Sequence, residues 1–269
     1  MKKVVAKKSL GQNFLKDESV IEQIFSVALV GPKDWVFEVG PGTGALTHKL
    51  VGRVEKYVAL EVDHDLAIGL QRQFTDSKKV TIVEGNVLDI YLEKMLQDVS
   101  YTEHPYKIIA NIPYYITAPI IRTLLGLSSQ PESMTLMVQD EVAERLSAKP
   151  GSMSLLSLMV QYYAEVEKKF FVPKEAFDPV PKVDSAVIYI VPKRPYDKEA
   201  DRAVFRIARA GFSARRKTLA NNLSTSFSIP REAVVEQLQA IGLSSDVRAQ
   251  ALSVDNWEQL ARMWPKNDA

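Results

Sequence analysis

Short apolar segments alternate with helical segments along this chain, and each apolar segment ends at a glycine or a polar residue. Five segments of this kind occupy residues 35–39, 56–60, 80–83, 108–110 and 134–138, and the last runs into a helical pattern at residues 140–146. Strands that alternate with helices pair in parallel through right-handed crossovers. The alternation therefore predicts an α/β protein built on a doubly wound parallel sheet.

The pattern changes in the second half of the chain. Residues 166–172 and 185–190 are apolar enough to form two further strands, which we expect to close the sheet in antiparallel orientation. The proline-rich break at residues 192–195 marks a domain boundary. Beyond it, helical patterns cover residues 200–210, 214–223, 231–241 and 254–263. We predict one domain at residues 1–192, with a basic arm at residues 1–9, and a small all-helical domain at residues 196–269.

Composition excludes several kinds of chemistry. The 269 residues contain no cysteine, so disulfides, thiolate metal sites and a cysteine nucleophile are excluded. His48, His64 and His104 lack metal-ligand spacing, and no metal is expected. The basic amino terminus lacks the apolar core of a signal peptide, and no uncharged run reaches the roughly 18 apolar residues that cross a bilayer. We expect a monomeric, cytoplasmic protein with no membrane partner.

A glycine-rich turn, residues 40–44, follows the first predicted strand of the sheet. Its G-x-G-x-G spacing differs from the G-x-G-x-x-G of dinucleotide sites, and it lacks the lysine of a P-loop. Glu38, before the turn, favours a cofactor that carries a cation. Glu61 ends the second strand, where a carboxylate can accept from ribose hydroxyls, and Asn86 follows the third, where it can accept from an adenine amine. This set resembles the S-adenosylmethionine site of Rossmann-like methyltransferases; on its own, the glycine turn is also compatible with a simple tight turn.

The tetrapeptide at residues 111–114 predicts a second site at the same sheet edge. The side-chain carbonyl of Asn111 and the backbone carbonyl of Ile112 can accept both hydrogens of an amine. Pro113 fixes the turn and Tyr114 offers an aromatic face. The arrangement suits an amino group on a flat aromatic ring, although an ordinary strand-to-helix turn would have a similar sequence.

Four sequence blocks extend these observations over nearly the whole chain. They are Ser-Leu-Gly-Gln-Asn-Phe-Leu at residues 9–15, Asn-Ile-Pro-Tyr-Tyr-Ile at residues 111–116, Phe-Asp-Pro-Val-Pro-Lys-Val-Asp-Ser-Ala-Val at residues 177–187 and Phe-Ser-Ala-Arg-Arg-Lys-Thr-Leu-Ala-Asn-Asn-Leu at residues 212–223. Together they resemble the KsgA/RsmA-type family of small-subunit (16S) rRNA adenine N6,N6-dimethyltransferases. The resemblance implies a Rossmann-like methyltransferase sheet and a function in ribosome biogenesis. The expected reaction is dimethylation of N6 on two adjacent adenosines in the 3′-terminal hairpin loop of 16S rRNA, within a 30S subunit precursor.

The resemblance also implies a cofactor set. Asn13 and Leu15 lie against the methionine end of S-adenosylmethionine, Gly40 lies in the cofactor turn, Glu61 binds ribose and Asn86 meets adenine. Relatives commonly carry Asp where this chain carries Asn86, whose amide oxygen can still accept from the adenine amine.

For the acceptor side, the resemblance places Asn111 where the cofactor and the target amine meet. Tyr114 and Phe177 then stack on opposite faces of the target base. The same pattern in Phe177 also suits a core residue. The tetrapeptide suggests that Asn111 and the Ile112 carbonyl each accept one amine hydrogen and so localise the nitrogen lone pair toward the methyl donor.

The basic cluster Arg215, Arg216 and Lys217 falls within the predicted helix at residues 214–223, where we expect it to contact RNA phosphates. A solvated helix face is the alternative. Two other functions share much of the sequence pattern. An Erm-type enzyme would methylate large-subunit rRNA, and a non-catalytic relative would bind nucleic acid without transferring a methyl group.

Overall fold

The computed structural model describes residues 6–7, 10–89, 92–99, 104–195, 197 and 201–264. Its strands are β1 (Phe14–Leu15), β2 (Trp35–Val39), β3 (Lys56–Glu61), β4 (Val80–Glu84), β5 (Tyr106–Asn111), β6 (Ser133–Gln139), β7 (Ala164–Val172), β8 (Phe177–Asp178) and β9 (Ser185–Pro192). Its helices are α1 (Glu18–Ala28), α2 (Thr47–Leu50), α3 (His64–Gln73), α4 (Leu92–Asp98), α5 (Thr117–Leu125), α6 (Asp140–Leu146), α7 (Leu155–Tyr163), α8 (Arg202–Gly211), α9 (Leu219–Phe227), α10 (Arg231–Ala240) and α11 (Val254–Met263). Short 3₁₀ turns occur at Tyr114–Ile116, Lys174–Ala176 and Ala249–Ala251.

Seven strands form one sheet in the order β4-β3-β2-β5-β6-β9-β7. The five strands from β4 to β6 are parallel, whereas β9 runs antiparallel to both β6 and β7. Both features confirm the prediction from sequence. The strand order reverses direction between β2 and β5, and ligands of such sheets bind at the carboxyl ends of the strands beside this switch point.

The register of the central strands positions the predicted site residues. Val39 of β2 lies opposite Leu60 of β3 on one side and Ala110 of β5 on the other. The next residue on each strand is therefore Gly40, Glu61 or Asn111, so all three reach the same edge together. The three strands are mostly apolar and are buried almost throughout up to this point, as parallel strands covered on both faces are.

The segment before α1 is held by a helix cap at Asp17 and by strand pairing just before the cap. Asp17 caps α1 by accepting hydrogen bonds from the backbone N–H groups of Ser19 (2.8 Å) and Val20 (3.3 Å). Just before the cap, β1 pairs antiparallel with β8, and Leu15 lies opposite Phe177. Both side chains are buried in the hydrophobic cluster that α1 covers.

The chain divides into two compact units, Met1–Glu144 with Ala164–Pro195, and Arg145–Tyr163 with Tyr196–Ala269. The predicted domains differ in one segment, since residues 145–163 group with the helical unit. Within that unit α7 packs against α8 and α11. The hydroxyls of Tyr162 and Tyr163 both donate to the Asp201 carboxylate, at 2.6 and 2.8 Å. None of the helices in the described ranges is long and apolar enough to span a membrane.

Candidate active site

A cleft with about 750 Å³ of empty space, part of it open to solvent, lies at the carboxyl ends of β2, β3 and β5. This volume falls within the roughly 300–1,000 Å³ range of small-ligand sites. Its walls are residues 10–15, the glycine turn after β2, Glu61 with Val62, and the tetrapeptide at residues 111–114. Six predicted site residues line it: Asn13, Leu15, Gly40, Glu61, Asn111 and Tyr114.

Gly40 leaves space in the cleft wall that any other residue would fill. Its φ is +70°, a conformation that favours glycine, and a Cβ atom there would meet nothing within 4 Å. A ligand can therefore approach the backbone of the turn closely at this point.

We call the part of the cleft around the buried carboxylate of Glu61, where the sequence predicts the cofactor, the cofactor end. The part around Asn111, where the sequence predicts the target amine, is called the acceptor end. One oxygen of the Glu61 carboxylate accepts from the backbone N–H of Gly42 (2.8 Å) and the other from that of Asp63 (2.9 Å). Burial raises the pKa of Glu61, and these backbone donors oppose the shift. Each carboxylate oxygen retains a second lone pair, so Glu61 can hold the turn and still accept from a ligand hydroxyl.

Glu38, also in the cleft wall, belongs to a closed buried network. Its carboxylate accepts from the hydroxyls of Tyr57 and Thr47, the latter at 3.0 Å. Burial raises the pKa of Glu38 to about 7, although both hydrogen bonds lower it. Glu38 thus links β2, which leads into the glycine turn, to Thr47 of α2 and Tyr57 of β3.

A polar cluster that the sequence reasoning missed holds the amino-terminal segment beside the cofactor end. Asp63 accepts from the Lys7 ammonium (2.7 Å) and from the Gln12 side-chain amide (2.8 Å), and Lys7 also reaches Asp65 (2.9 Å). Burial alone would raise the pKa of Asp63, but the hydrogen bonds from Lys7 and Gln12 outweigh it and the net shift is downward. The only local signal was the Asp-His-Asp sequence at the start of α3, because the partners lie more than fifty residues apart.

At the acceptor end, the amide group of Asn111 has a defined orientation. Its Nδ2 donates to the backbone carbonyl of Asn13 (3.2 Å), whose own side chain donates to the carbonyl of Gly11 (3.1 Å). The backbone N–H of Ile112 donates to the carbonyl of Met137 (3.1 Å) and fixes the start of the turn. The amide nitrogen of Asn111 therefore faces Asn13, and the amide oxygen is the atom that can accept a hydrogen bond from a ligand.

Tyr114 is half-buried in the cleft wall. Its hydroxyl lies 2.6 Å from the Ser185 hydroxyl at the start of β9. Burial raises the pKa of Tyr114, so the phenol is neutral in the physiological range. The tethered hydroxyl limits rotation of the ring.

Phe177 occupies a different environment from the one the stacking prediction requires. Its ring is completely buried, in the same hydrophobic cluster as Leu15, and it does not line the cleft. The pairing of β1 with β8 turns the ring inward. Stacking of Phe177 on a base stays a prediction, and it requires the ring to leave this packing.

Asn86 also lies outside the cleft wall. It follows β4, and its side chain forms a local turn in which Oδ1 accepts from the Leu88 N–H (3.0 Å) and Nδ2 donates to Asp89 (2.7 Å). The adjacent Gly85 N–H donates to the Glu61 carbonyl (2.8 Å), so Asn86 follows the strand next to the one that ends at Glu61. Its contact with adenine stays a prediction.

The basic cluster is displaced from its expected helix. Arg215, Arg216 and Lys217 are exposed in the turn between α8 and α9, and α9 begins only at Leu219. The predicted helical start at residue 214 was wrong because Thr218 caps the helix, accepting from the Asn221 N–H (3.4 Å).

The basic turn is nevertheless held in a defined shape. The buried Asn222 side chain donates to the carbonyls of Gly211 (2.6 Å) and Ala214 (3.1 Å), both just before the three cations, and the Lys217 N–H donates to the same Ala214 carbonyl (3.1 Å). Three cations are thereby presented together on a short ordered turn. Elsewhere among the described residues, no group of three or more His, Asp or Glu side chains could hold a metal ion.

The doubly wound sheet, with a ligand cleft at its switch point, defines a Rossmann-like methyltransferase. A solved structure of the 23S rRNA methyltransferase ErmE matches with a TM-score of 0.73 and 25% identity, covering 93% of this chain and 98% of that one. A dimethyladenosine transferase from Plasmodium falciparum matches with a TM-score of 0.75 and 24% identity, covering 92% and 95%.

Sequence comparison defines the family more narrowly. The family model of ribosomal RNA adenine dimethylases matches residues 4–265. A ribosomal RNA small subunit methyltransferase A from Dehalococcoides mccartyi is 39% identical over 97% of this chain and 89% of its own length. The chain belongs to the ribosomal RNA adenine dimethylase family.

Proposed function

We propose that this protein uses S-adenosylmethionine to dimethylate the N6 amine of two adjacent adenosines in the 3′-terminal hairpin loop of 16S rRNA. The partner is a 30S precursor in the cytoplasm, and the protein acts as a monomer in ribosome biogenesis. The observation that carries the proposal is the orientation of Asn111, whose amide nitrogen is tied to Asn13 and whose oxygen can accept a hydrogen bond from a ligand.

The cleft fits the cofactor. Glu61 offers lone pairs for a ribose, Gly40 leaves space against the backbone, and Asn13 and Leu15, which line the same cleft, are assigned to the methionine end. Asn86 follows the next strand for adenine. When bound, S-adenosylmethionine supplies an electrophilic methyl group on a positively charged sulfonium.

The residues at the acceptor end address the weakness of the nucleophile. An adenine amine is planar because its lone pair is delocalised into the ring. The Asn111 oxygen and the Ile112 carbonyl accept its two hydrogens and favour localisation of the lone pair. This assistance is positioning and electrostatics. No strong base is needed, because the methylated nitrogen can lose its proton to solvent after the transfer. After the first methyl group is added, one of these hydrogen bonds is lost on the second round.

Tyr114 accounts for how the base is held. A base in a folded RNA must leave its stack to be modified, and an aromatic side chain replaces the lost stacking. The Tyr114 ring lies in the cleft wall beside Asn111, and its tether to Ser185 keeps it oriented. Arg215, Arg216 and Lys217 supply phosphate contacts.

Identity favours the small subunit over the large. The relative named for the small subunit is 39% identical, whereas the 23S rRNA methyltransferase is 25% identical over a similar share of the chain. The direct test is transfer of tritiated methyl groups to purified small and large subunits that lack the modification, followed by nucleoside analysis. Label in N6,N6-dimethyladenosine of small subunits supports the proposal. Label in large subunits would indicate an Erm-type enzyme, and no transfer would indicate a non-catalytic relative.

A further inference from the structure

Tyr115, the residue after Tyr114, has no role in the proposed function. It is 63% exposed, more than Phe171 (53%), the other aromatic side chain among the exposed large apolar residues of the described ranges. An aromatic ring this exposed, directly beside a catalytic tetrapeptide, is available to a nucleobase.

The ring of Tyr115 is held at the rim of the cleft. A Cβ atom at Gly11, where φ is +62°, would lie 3.1 Å from Cε1 and 3.2 Å from Cδ1 of Tyr115. One edge of the ring therefore rests on the backbone of residue 11, which itself lines the cleft. Glycine suits this approach because its φ lies in the left-handed region, and because a side chain there would crowd the ring and displace it by a few tenths of an ångström.

The backbone that carries Tyr115 is also fixed. The 3₁₀ turn Tyr114–Ile116 is closed by a hydrogen bond from the Ile116 N–H to the Pro113 carbonyl (3.2 Å). The Thr117 hydroxyl donates to the Tyr114 carbonyl at 3.2 Å. The two tyrosine rings thus project from one rigid turn, Tyr114 into the cleft wall and Tyr115 largely into solvent.

We propose that Tyr115 is a stacking platform for the nucleobase next to the target adenosine. This inference rests on the proposed function, since it assigns a second RNA contact to the same site. Withdrawal of the target base leaves its neighbour without a stacking partner. Base–aromatic stacking compensates for such a loss in single-stranded RNA. Two adjacent target adenosines require a place for the second while the first is methylated, and Tyr115 is the adjoining ring.

Three variants separate stacking from packing against Gly11. Tyr115→Leu retains an apolar side chain over Gly11 but lacks an aromatic face. Tyr115→Phe retains both. Phe171→Leu is the matched control, because it removes an exposed aromatic ring on β7, away from the cleft wall.

The experiment measures methyl transfer to unmodified small subunits, together with S-adenosylmethionine affinity by calorimetry. We expect Tyr115→Leu to lower kcat/KM for small subunits by roughly 10- to 100-fold, the usual loss when one stacked base loses its aromatic partner. Most of the loss should appear in KM, Tyr115→Phe should restore most of it, and Phe171→Leu should match the wild type. Cofactor affinity should be equal in all four proteins.

Two results would overturn the inference. Wild-type kinetics in Tyr115→Leu would show that the ring contacts no base. A parallel loss of cofactor affinity in that variant would show that the ring only packs the amino-terminal segment. Both differ from failure of the proposed function, in which the wild type itself transfers no methyl group to small subunits.

Discussion

The two ends of the cleft satisfy their polar groups in different ways. At the cofactor end, both oxygens of Glu61 and both oxygens of Asp63 accept hydrogen bonds from the protein itself. At the acceptor end, the Asn111 oxygen is the unengaged end of its amide and the aromatic face of Tyr114 is half-exposed.

This difference matches the ligand proposed for each end, the cofactor at one and an RNA base at the other. A fully hydrogen-bonded cofactor end holds its shape before any ligand arrives, and preorganised groups do not have to reorganise when they bind. The acceptor end retains an acceptor and aromatic faces for an RNA base that must first leave its stack. Substitutions at the two ends should therefore separate cofactor affinity from methyl transfer.

The largest expected effect is on folding and concerns Phe177. Because its ring is completely buried, Phe177→Ala should lower the free energy of unfolding by about 3–5 kcal/mol. Tyr114→Ala, at a half-exposed ring, should cost clearly less stability while still impairing methyl transfer. Urea denaturation of both variants tests this. A Phe177→Ala protein with wild-type stability but weak RNA binding would return Phe177 to the acceptor end as a stacking residue.

Asn111→Ala tests the acceptor end directly. Removal of the acceptor that aligns the amine should lower turnover by roughly 10²- to 10³-fold, the scale for loss of one oriented hydrogen-bonding group in an active site. Cofactor affinity by calorimetry should change far less, because the cofactor end retains its own network. If affinity fell as much as turnover, the two ends would not be separable.

Glu38 predicts a pH dependence of stability. Its pKa is about 7 in the folded protein and 4.5 when unperturbed, so the folded state retains a proton that the unfolded state loses between these values. The contribution of protonated Glu38 to the free energy of unfolding, up to roughly 3 kcal/mol, is fully present below about pH 4.5. It is lost as the pH rises to about 7. The wild-type minus Glu38→Gln difference in unfolding free energy should decline across this window. A flat difference would show that Glu38 is ionised throughout.

Glu61→Ala tests the cofactor end. Loss of the carboxylate removes the predicted acceptor for the ribose hydroxyls and should weaken S-adenosylmethionine binding by roughly 1–3 kcal/mol, the usual cost of leaving a buried polar partner without its hydrogen bond. Glu61→Gln, which retains one oxygen, should lie between the alanine variant and the wild type. Turnover at saturating cofactor should recover more than affinity does, and unchanged affinity in calorimetry would contradict the ribose assignment.

Much of this arrangement could be predicted from sequence because it depends on long apolar strands. The strands that end at Gly40, Glu61 and Asn111 are adjacent and parallel, so their ends had to meet. The sequence left open whether Phe177 is a core residue or a stacking residue, because a two-residue strand such as β8 has no periodic signal.

The remaining differences arise from contacts that no local pattern shows. The Lys7 and Gln12 contacts with Asp63 join residues far apart in the chain. The later start of α9 depends on the cap at Thr218 and on the buried Asn222. The features that the sequence did not predict are therefore short elements and polar contacts between residues far apart in the chain.

The smallest expected effect lies outside the cleft, in the basic turn. Replacement of Arg215, Arg216 and Lys217 by Ala should weaken binding to small subunits and flatten its salt dependence, each lost phosphate contact reducing the log–log slope by roughly 0.7–0.9. Cofactor affinity should not change. The matched control removes three exposed cations of the other unit, Lys33, Arg72 and Lys78. If the triple variant kept the wild-type salt dependence, the three side chains would be ordinary solvated surface residues that contact no phosphate.

The most direct test of the whole account is to identify the methylated nucleosides after wild-type protein acts on unmodified small subunits. We expect N6,N6-dimethyladenosine at two adjacent positions of the 3′-terminal hairpin loop, with almost no product from Asn111→Ala under saturating cofactor. Methyl groups confined to another base or to large-subunit RNA, or equal product from the Asn111→Ala protein, would contradict it.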